Sequence, residues 1–414
     1  MKILFLHALA DPEAGGGAEV TVWTLMRSMR ELGHDCVLVA ASEQEGLHRE
    51  VRDGITVYTA KLKNLYLPKH NKRQPVSKKL LWHAIDSFNP FMQGALKRVV
   101  EAEKPDVASV HCLNGWSALA MRTLSRASIP IVQVLHGYEY ICVKSTMFSR
   151  GSNCVSQCLS CRIFRLPHPR LSRCADAVVG VSRFTLERHL DSGYFRGVAI
   201  QRVIHNARDP WKLGVNGALA PRLQTKPLRI GYIGRIDPSK GIDMLLHAFD
   251  EAALGDVELW IAGSGQSGYE SSLRSRWASE RIRFLGRTAP RDFYPNVDIT
   301  VVPSLWEEPL GMVVAEGMAF GKPVIGARRG GISEMIVDGE SGFLFDPESP
   351  VELIGAMRRL VNDAGMRARM GARALTSAIP YMDPEGWASK YATVYAEVAR
   401  KHGPPVSPRD GEIL

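Results

Sequence analysis

No stretch of this 414-residue chain approaches the roughly 18 consecutive apolar residues of a membrane span, so contact with a bilayer is expected to be peripheral only. Its 7 cysteines are odd in number and follow no secretory signal, which argues against a disulfide framework. The start imitates a leader, with Lys2, apolar Ile3 to Leu6 and Ala8-Leu9-Ala10. The apolar run is short, however, His7 interrupts it, and Asp11 and Glu13 follow at once. It reads as the first buried strand of a cytoplasmic protein. Helix-turn-helix, zinc-finger and RNA-binding signatures are missing, so nucleic acid is not an expected partner. No Asp-x-Asp pair stands at a strand end, and a catalytic metal is not expected either.

The length is comfortable for two domains. The net charge of +9 is uneven: 26 Lys+Arg against 17 Asp+Glu in residues 1–200, and 26 against 26 from 201 onward. A basic first half suits an anionic surface or acceptor. Lys61 to Lys79 carries seven basic residues and no acid, interspersed with Leu62, Leu65, Tyr66, Leu67 and Pro68. It reads either as a solvated charged loop or as a surface that docks on anionic lipid.

Apolar strands alternate with helical stretches through both halves. Lys2 to His7, Val37 to Ala40, Ile55 to Ala60, Val107 to Cys112, Ile131 to His136 and Ala177 to Val181 fill the first half. Leu228 to Ile233, Glu258 to Ala262, a run ending at Pro303, and Pro323 to Gly326 fill the second. Such strands predict doubly wound parallel sheets. Gly15-Gly16-Gly17 follows the first strand and is either a flexible turn or a close approach to a ligand. His136 and His111 stand at strand ends, the edge where such sheets bind ligands.

In the second half, Gly234-Arg235-Ile236-Asp237-Pro238-Ser239-Lys240-Gly241 places two cations five residues apart across a compact turn, which suits a diphosphate. Gly263 to Gly268 is formally Gly-x-Gly-x-x-Gly, but it follows the second strand of its domain, and a nicotinamide reading leaves the Arg235/Lys240 loop unexplained. From Val301 to Gly321 a strand runs into a turn with Glu308 and then a helix with Glu316, for which Pro309 suits the first turn. On one helix the two carboxylates lie about 80° apart and roughly 12 Å along the axis. Gly311 and Met312 offer backbone N–H groups at a positive helix end. The bland reading is a surface helix with two solvated acids.

Glu308-x7-Glu316 behind a Pro-Ser strand end, together with Gly-Arg-x4-Lys-Gly at 234–241, resembles the signature of family-4 retaining glycosyltransferases of the GT-B fold. The resemblance spans nearly the whole chain and rests on four motifs in order; it also implies a last strand of the first domain at Val203 to Asn206 and, at Arg283 to Arg287, a strand whose backbone edge reads the base. It implies two Rossmann-like domains facing across a cleft: residues 1–206 for the acceptor, a linker at 207–227, residues 228–383 for the nucleotide sugar, a helix at 384–402 crossing back, and a disordered tail at 403–414. Catalytic roles are implied for His136, Arg235, Lys240 and Glu308. Donor contacts are implied for Gly16, Gly17, Arg235, Lys240, Gly263, Leu285, Gly286, Glu308, Leu310, Gly311, Met312 and Glu316. Partners are a nucleotide-sugar donor, a carbohydrate or lipid-linked acceptor and, through the basic half, an anionic membrane. No cofactor is implied for catalysis.

Cys142, Cys154, Cys158 and Cys161 fit either a loop of free thiols or a structural zinc site. Two other functional classes compete with sugar transfer: an epimerase or phosphorylase on the same plan, and a non-enzymatic protein that binds anionic lipid.

Overall fold

The first strand, β1 (Lys2–Leu9), is apolar and buried from Ile3 to Ala8, so both of its faces are covered, as in the middle of a helix-flanked parallel sheet. The computed structural model describes residues 1–11, 17–68, 70, 74–215 and 227–402. Gly16, residues 69 and 71–73 of the basic stretch, 216–226 of the linker and the tail 403–414 lie outside the described residues.

Around β1 the chain adds β2 (Asp35–Ser42), β3 (Leu47–Arg52), β4 (Ile55–Lys61), β5 (Val107–Val110) and β6 (Ile131–Leu135). A small hairpin, β7 (Phe148–Ser149) and β8 (Ser152–Asn153), stands apart, and β9 (Ala177–Gly180) and β10 (Ile200–Val203) complete the sheet. The order is β10-β9-β6-β5-β1-β2-β4-β3, parallel throughout except for the β3/β4 pair. β3 is absent from the sequence reading because its His48-Arg49-Glu50 core is exposed and charged, a composition that blunts a sheet edge. The last strand ends at Val203, so Ile204 to Asn206 continue beyond it as an extension rather than as the strand itself.

A second parallel sheet holds β11 (Leu228–Ile233), β12 (Val257–Ala262), β13 (Ile282–Gly286), β14 (Ile299–Val302), β15 (Val324–Ala327) and β16 (Gly342–Phe345), in the order β13-β12-β11-β14-β15-β16. In each sheet the order reverses beside its first strand, between β1 and β5 and between β11 and β14. Open α/β sheets bind ligands at that reversal, outside the carboxyl ends of the strands. The loops after β5, β11 and β14 open at these reversals.

The helix Pro384–His402 leaves the second lobe and packs on the helix Gly17–Glu31 and on β5 and β6. Its Trp387, Tyr391, Tyr395 and Val398 are buried, and one apolar cluster runs from Phe5 and Trp23 through them to Tyr294 and Leu310. Burial of rings of this size contributes about 2 kcal/mol each, so the crossing helix ties the lobes into one core.

Candidate active site

Two loops of the second lobe meet at its sheet reversal. After β11, Asp237 caps a single 3-10 turn, Pro238–Lys240, by accepting the N–H of Ser239. Gly241 then enters the next helix at φ +70°, and a Cβ there would lie 1.9 Å from the carbonyl oxygen of Pro303. Backbone therefore rests on backbone, and Lys240 is carried to the loop after β14. Its ammonium is hydrogen-bonded to Glu308 Oε1 and lies 5.2 Å from the centre of the Trp306 ring. Ser304 Oγ donates to the same carboxylate oxygen at 2.7 Å. Burial opposes the charge of Glu308, but Lys240 and Ser304 outweigh it and hold the carboxyl below its ordinary range. Arg235 projects outward, and its guanidinium is 3.9 Å from Asp237.

The helix that follows spans Met312–Ala319, not a segment opened by Pro309. Gly311 adopts φ +88° and forms the cap, so Glu308 and Pro309 belong to the loop before it. The expected 80° offset between two carboxylates of one helix is thereby corrected: Glu308 is placed by the loop and by Lys240, and only Glu316 by the helix. Gly330 and Gly331 close under the loop, with Gly331 N–H on the Glu308 carbonyl at 2.8 Å and Gly330 N–H on the Glu307 carboxylate at 2.6 Å. Leu310 is buried beneath.

Glu316 lies at the junction of the lobes, where Arg208 Nε reaches its Oε1 at 3.1 Å and Tyr294 OH its Oε2 at 3.5 Å. Arg208 also donates to Thr21 Oγ1 at 3.3 Å, in the first turn after Gly17. Nothing in the sequence singled out Arg208, because it follows the last strand and its partner is 108 residues away.

From the first lobe three histidines line up at the carboxyl ends of neighbouring strands: His7 in β1, His111 after β5 and His136 after β6. His136 Nε2 and His111 Nδ1 are 2.8 Å apart. Burial, then the neighbouring His7, pushes His136 down to about 3, and burial holds His111 well below its ordinary range. Both rings are neutral at pH 7.

The first lobe also grips the Glu308 loop directly. Tyr138 OH donates to the Glu307 carbonyl at 3.0 Å, Asn153 Nδ2 to the Leu305 carbonyl at 2.8 Å, and Thr185 Oγ1 to the Pro309 carbonyl at 3.0 Å. Glu334 of the second lobe accepts the N–H groups of Arg183 at 2.9 Å and Phe184 at 2.8 Å, and pairs with His205 at 3.0 Å. These grips were invisible in the sequence, since each joins groups more than 100 residues apart.

Gly263 packs against the loop after β11, its missing Cβ leaving room for the Gly234 carbonyl, and its N–H bonds the Gly286 carbonyl at 2.7 Å. Leu285 beside them is 38% exposed, the end of β13 being open to solvent. Cys154 follows β8 directly, Cys158 caps the helix Leu159–Phe164 and Cys161 lies within it. The Cys142 thiol is pushed down to about 5 by its hydrogen bond with Cys161 and by the N–H groups of Lys144, Thr146 and Met147, against burial. Cys158 Sγ lies 3.2 Å from Ser160 Oγ. Structural zinc takes four ligands around one point. Among the described residues no three His, Cys, Asp or Glu side chains are grouped to hold a metal ion.

Two family profiles match the chain: a glycosyl transferase 4-like domain over residues 16–207 and glycosyl transferases group 1 over residues 220–376. The chain is 27% identical over 336 residues to an uncharacterized 42.6 kDa protein in the cps region of Klebsiella pneumoniae, covering 81% of this chain and 87% of that one. It is 33% identical over 193 residues to a D-inositol 3-phosphate glycosyltransferase of Corynebacterium diphtheriae, a match spanning 43% of this chain and 44% of that enzyme. Among solved structures, sucrose-phosphate synthase of Thermosynechococcus elongatus superposes with a TM-score of 0.74 at 18% identity, over 96% of this chain and 98% of that one. HepE of Anabaena in complex with UDP-glucose does so with a TM-score of 0.65 at 20% identity, over 96% and 100%. The chain belongs to the group 1, family-4-like glycosyltransferases and is a glycosyltransferase of the GT-B fold.

Proposed function

We propose that the protein moves a hexose from a nucleoside-diphosphate sugar to a hydroxyl of a carbohydrate or lipid-linked acceptor, with retention of anomeric configuration and no cofactor, in cytoplasmic synthesis of a bacterial polysaccharide or glycolipid. The observation that carries this reading is the Lys240–Glu308 pair beside the capped helix at Gly311. A diphosphate entering there competes with Glu308 for the ammonium. Lys240, Arg235 and the N–H groups of Gly311 and Met312 then take up the charge of the leaving group, which is positioning and electrostatics with no protein nucleophile. The released Glu308 carboxylate accepts sugar hydroxyls, Glu316 accepts ribose hydroxyls, and His136 meets the sugar from the other lobe.

The UDP-glucose bound by HepE supports a nucleotide-sugar donor, and the cps-region relative supports a polysaccharide or glycolipid product. An anionic bilayer as docking partner is supported by exposed Val76, Leu80 and Leu81 on the helix Val76–Ser87, which packs on the helix Leu159–Phe164 with its exposed Leu159 and Ile163. Lys78, Lys79 and Arg162 flank them. No helix among the described residues is long and apolar enough to cross a membrane.

The test is product analysis. The purified protein is incubated with UDP-, GDP- and ADP-hexoses and hydroxyl acceptors, and the new glycosidic bond is read by NMR. Retention of the donor's anomeric configuration supports the proposal. An inverted linkage, or release of an epimerised sugar nucleotide without transfer, contradicts it.

A further inference from the structure

Behind His136 a row of buried polar groups runs from one lobe's strands into the helix that crosses from the other. His136 Nε2 lies 2.8 Å from His111 Nδ1, His111 Nε2 lies 3.0 Å from Ser109 Oγ, and Ser109 Oγ lies 2.7 Å from the hydroxyl of Tyr395. Ser109 and Tyr395 are fully buried and His111 is nearly so. Phe5 stacks on His111 at 5.7 Å and holds the ring flat against β1.

The protons of this row can be counted. Each ring is neutral, because burial depresses both imidazoles. Four protons, one each on Tyr395, Ser109, His111 and His136, serve three contacts, and each contact holds one. Among the described residues the Tyr395 hydroxyl has Ser109 as its only hydrogen-bond partner, and Ser109 Oγ has only Tyr395 and His111. A buried hydroxyl proton without an acceptor is costly. Tyr395 must then donate to Ser109, and Ser109 to His111 Nε2. His111 is left with its proton on Nδ1, which donates to His136 Nε2. Any other arrangement leaves a buried hydroxyl proton unbonded.

We infer that His111, Ser109 and Tyr395 are positioning residues that fix His136 as the Nδ1–H tautomer, so that it meets the substrate as a hydrogen-bond donor and never as a base. A histidine ring nitrogen takes its protonation from the bond its other nitrogen makes. Here that bond occupies the Nε2 lone pair, and the remaining proton sits on the ring atom outside the row. The donor suits a sugar hydroxyl oxygen or an oxygen gaining charge. The row also explains why a residue of the crossing helix bears on a site in the first lobe: Tyr395 supplies the proton that sets its direction. The inference rests on the proposed contact between His136 and the sugar.

The experiment is nitrogen-15 NMR of the histidine rings in the full chain, with the His136 signals assigned by a His136→Asn variant. The wild type is expected to show His136 protonated at Nδ1. His111→Phe keeps the stack on Phe5 but has no nitrogen, and is expected to let the His136 proton move to Nε2. It should lower kcat by at least about ten-fold at unchanged donor KM, as a wrong tautomer does. His111→Asn, whose amide nitrogen stands near the place of Nδ1, is expected to restore Nδ1–H and most of kcat. Ser109→Ala gives the same reading should the phenylalanine variant not fold. A proton on Nε2 in the wild type, or an unchanged His136 signal in both His111→Phe and Ser109→Ala, overturns the inference. The spectra decide this even in a protein that transfers no sugar, so failure of the proposed function is told apart from failure of the proton row.

Discussion

Arg208 and Glu316 meet where the two lobes join, Nε 3.1 Å from Oε1, with side-chain exposures of only 15% and 10%. The pair links the helix Gly17–Glu31 of the first lobe, through Thr21, to the capped helix of the second. A carboxylate assigned to ribose hydroxyls is therefore already held in place before a donor arrives. Glu316→Ala is expected to raise the donor KM at least ten-fold, about 1.4 kcal/mol, and to cost about 3 kcal/mol of stability by leaving Arg208 without its partner. Steady-state kinetics and urea unfolding measure the two effects separately.

Lys240→Ala removes the cation assigned to the leaving diphosphate and leaves Glu308 buried without its charge partner. Turnover is expected to fall at least ten-fold, again about 1.4 kcal/mol in the barrier. With Lys240 gone, burial dominates at Glu308, and its carboxyl titrates higher than in the parent. The pH–rate profile of the variant is expected to gain an acid limb at a higher pH than the parent's.

How much of this was readable in the sequence depends on what each feature needed. The parallel strands were legible because β1, β2, β6 and β14 are buried on both faces and read as near-continuous apolar runs, broken only by single polar residues such as His7, Gln133 and Thr300. β16 was not, since its four residues open with Gly342, and the charged edge strand β3 was not either. Lys240 and Glu308 were legible as chemistry, but their direct pairing was not. Pro309 mimics the first residue of a helix, whereas Gly311, with its positive φ, caps a helix that starts at Met312, four positions after Glu308. The pairing of His136 with His111 depends on β5 and β6 being neighbours, which is a property of the sheet and not of either segment.

Gly241 is the hinge of the Lys240 loop. Gly241→Ala would place a methyl 1.9 Å from the Pro303 carbonyl oxygen, at a φ of +70° that itself costs an L-residue about 1–2 kcal/mol. The backbone has to shift, and Lys240 moves with it. The expected result is a folded protein of lower melting temperature whose kcat/KM falls with Lys240→Ala, measured by thermal unfolding and initial rates. A variant with the parental kcat/KM would show that the close approach of these loops does not place Lys240.

Glu139 follows His136 by three residues and is buried beside Arg165. Burial pushes its carboxyl from 4.5 up to about 7, against its own backbone N–H and Arg165. The folded state therefore holds this proton over a range in which the unfolded chain has lost it. Its contribution to stability is full below about pH 4.5 and is lost as the pH rises to about 7. Glu139→Gln removes that loss. Its melting temperature is expected to equal the parent's at pH 4 and to exceed it at pH 8, by differential scanning calorimetry; a variant less stable than the parent at pH 8 would show that the ionised carboxylate is well solvated.

The most direct test is a thermal-shift titration of wild type and Lys240→Ala with UDP-, GDP- and ADP-sugars, since a ligand that binds only the folded state raises its melting temperature in proportion to the logarithm of its saturation. The account predicts that at least one nucleotide sugar stabilises the wild type, and that Lys240→Ala needs at least ten-fold more of it for the same shift. Equal shifts in the two proteins, or none in the wild type with any of the three, would contradict the claim that the Lys240 loop and the helix behind Gly311 hold a diphosphate.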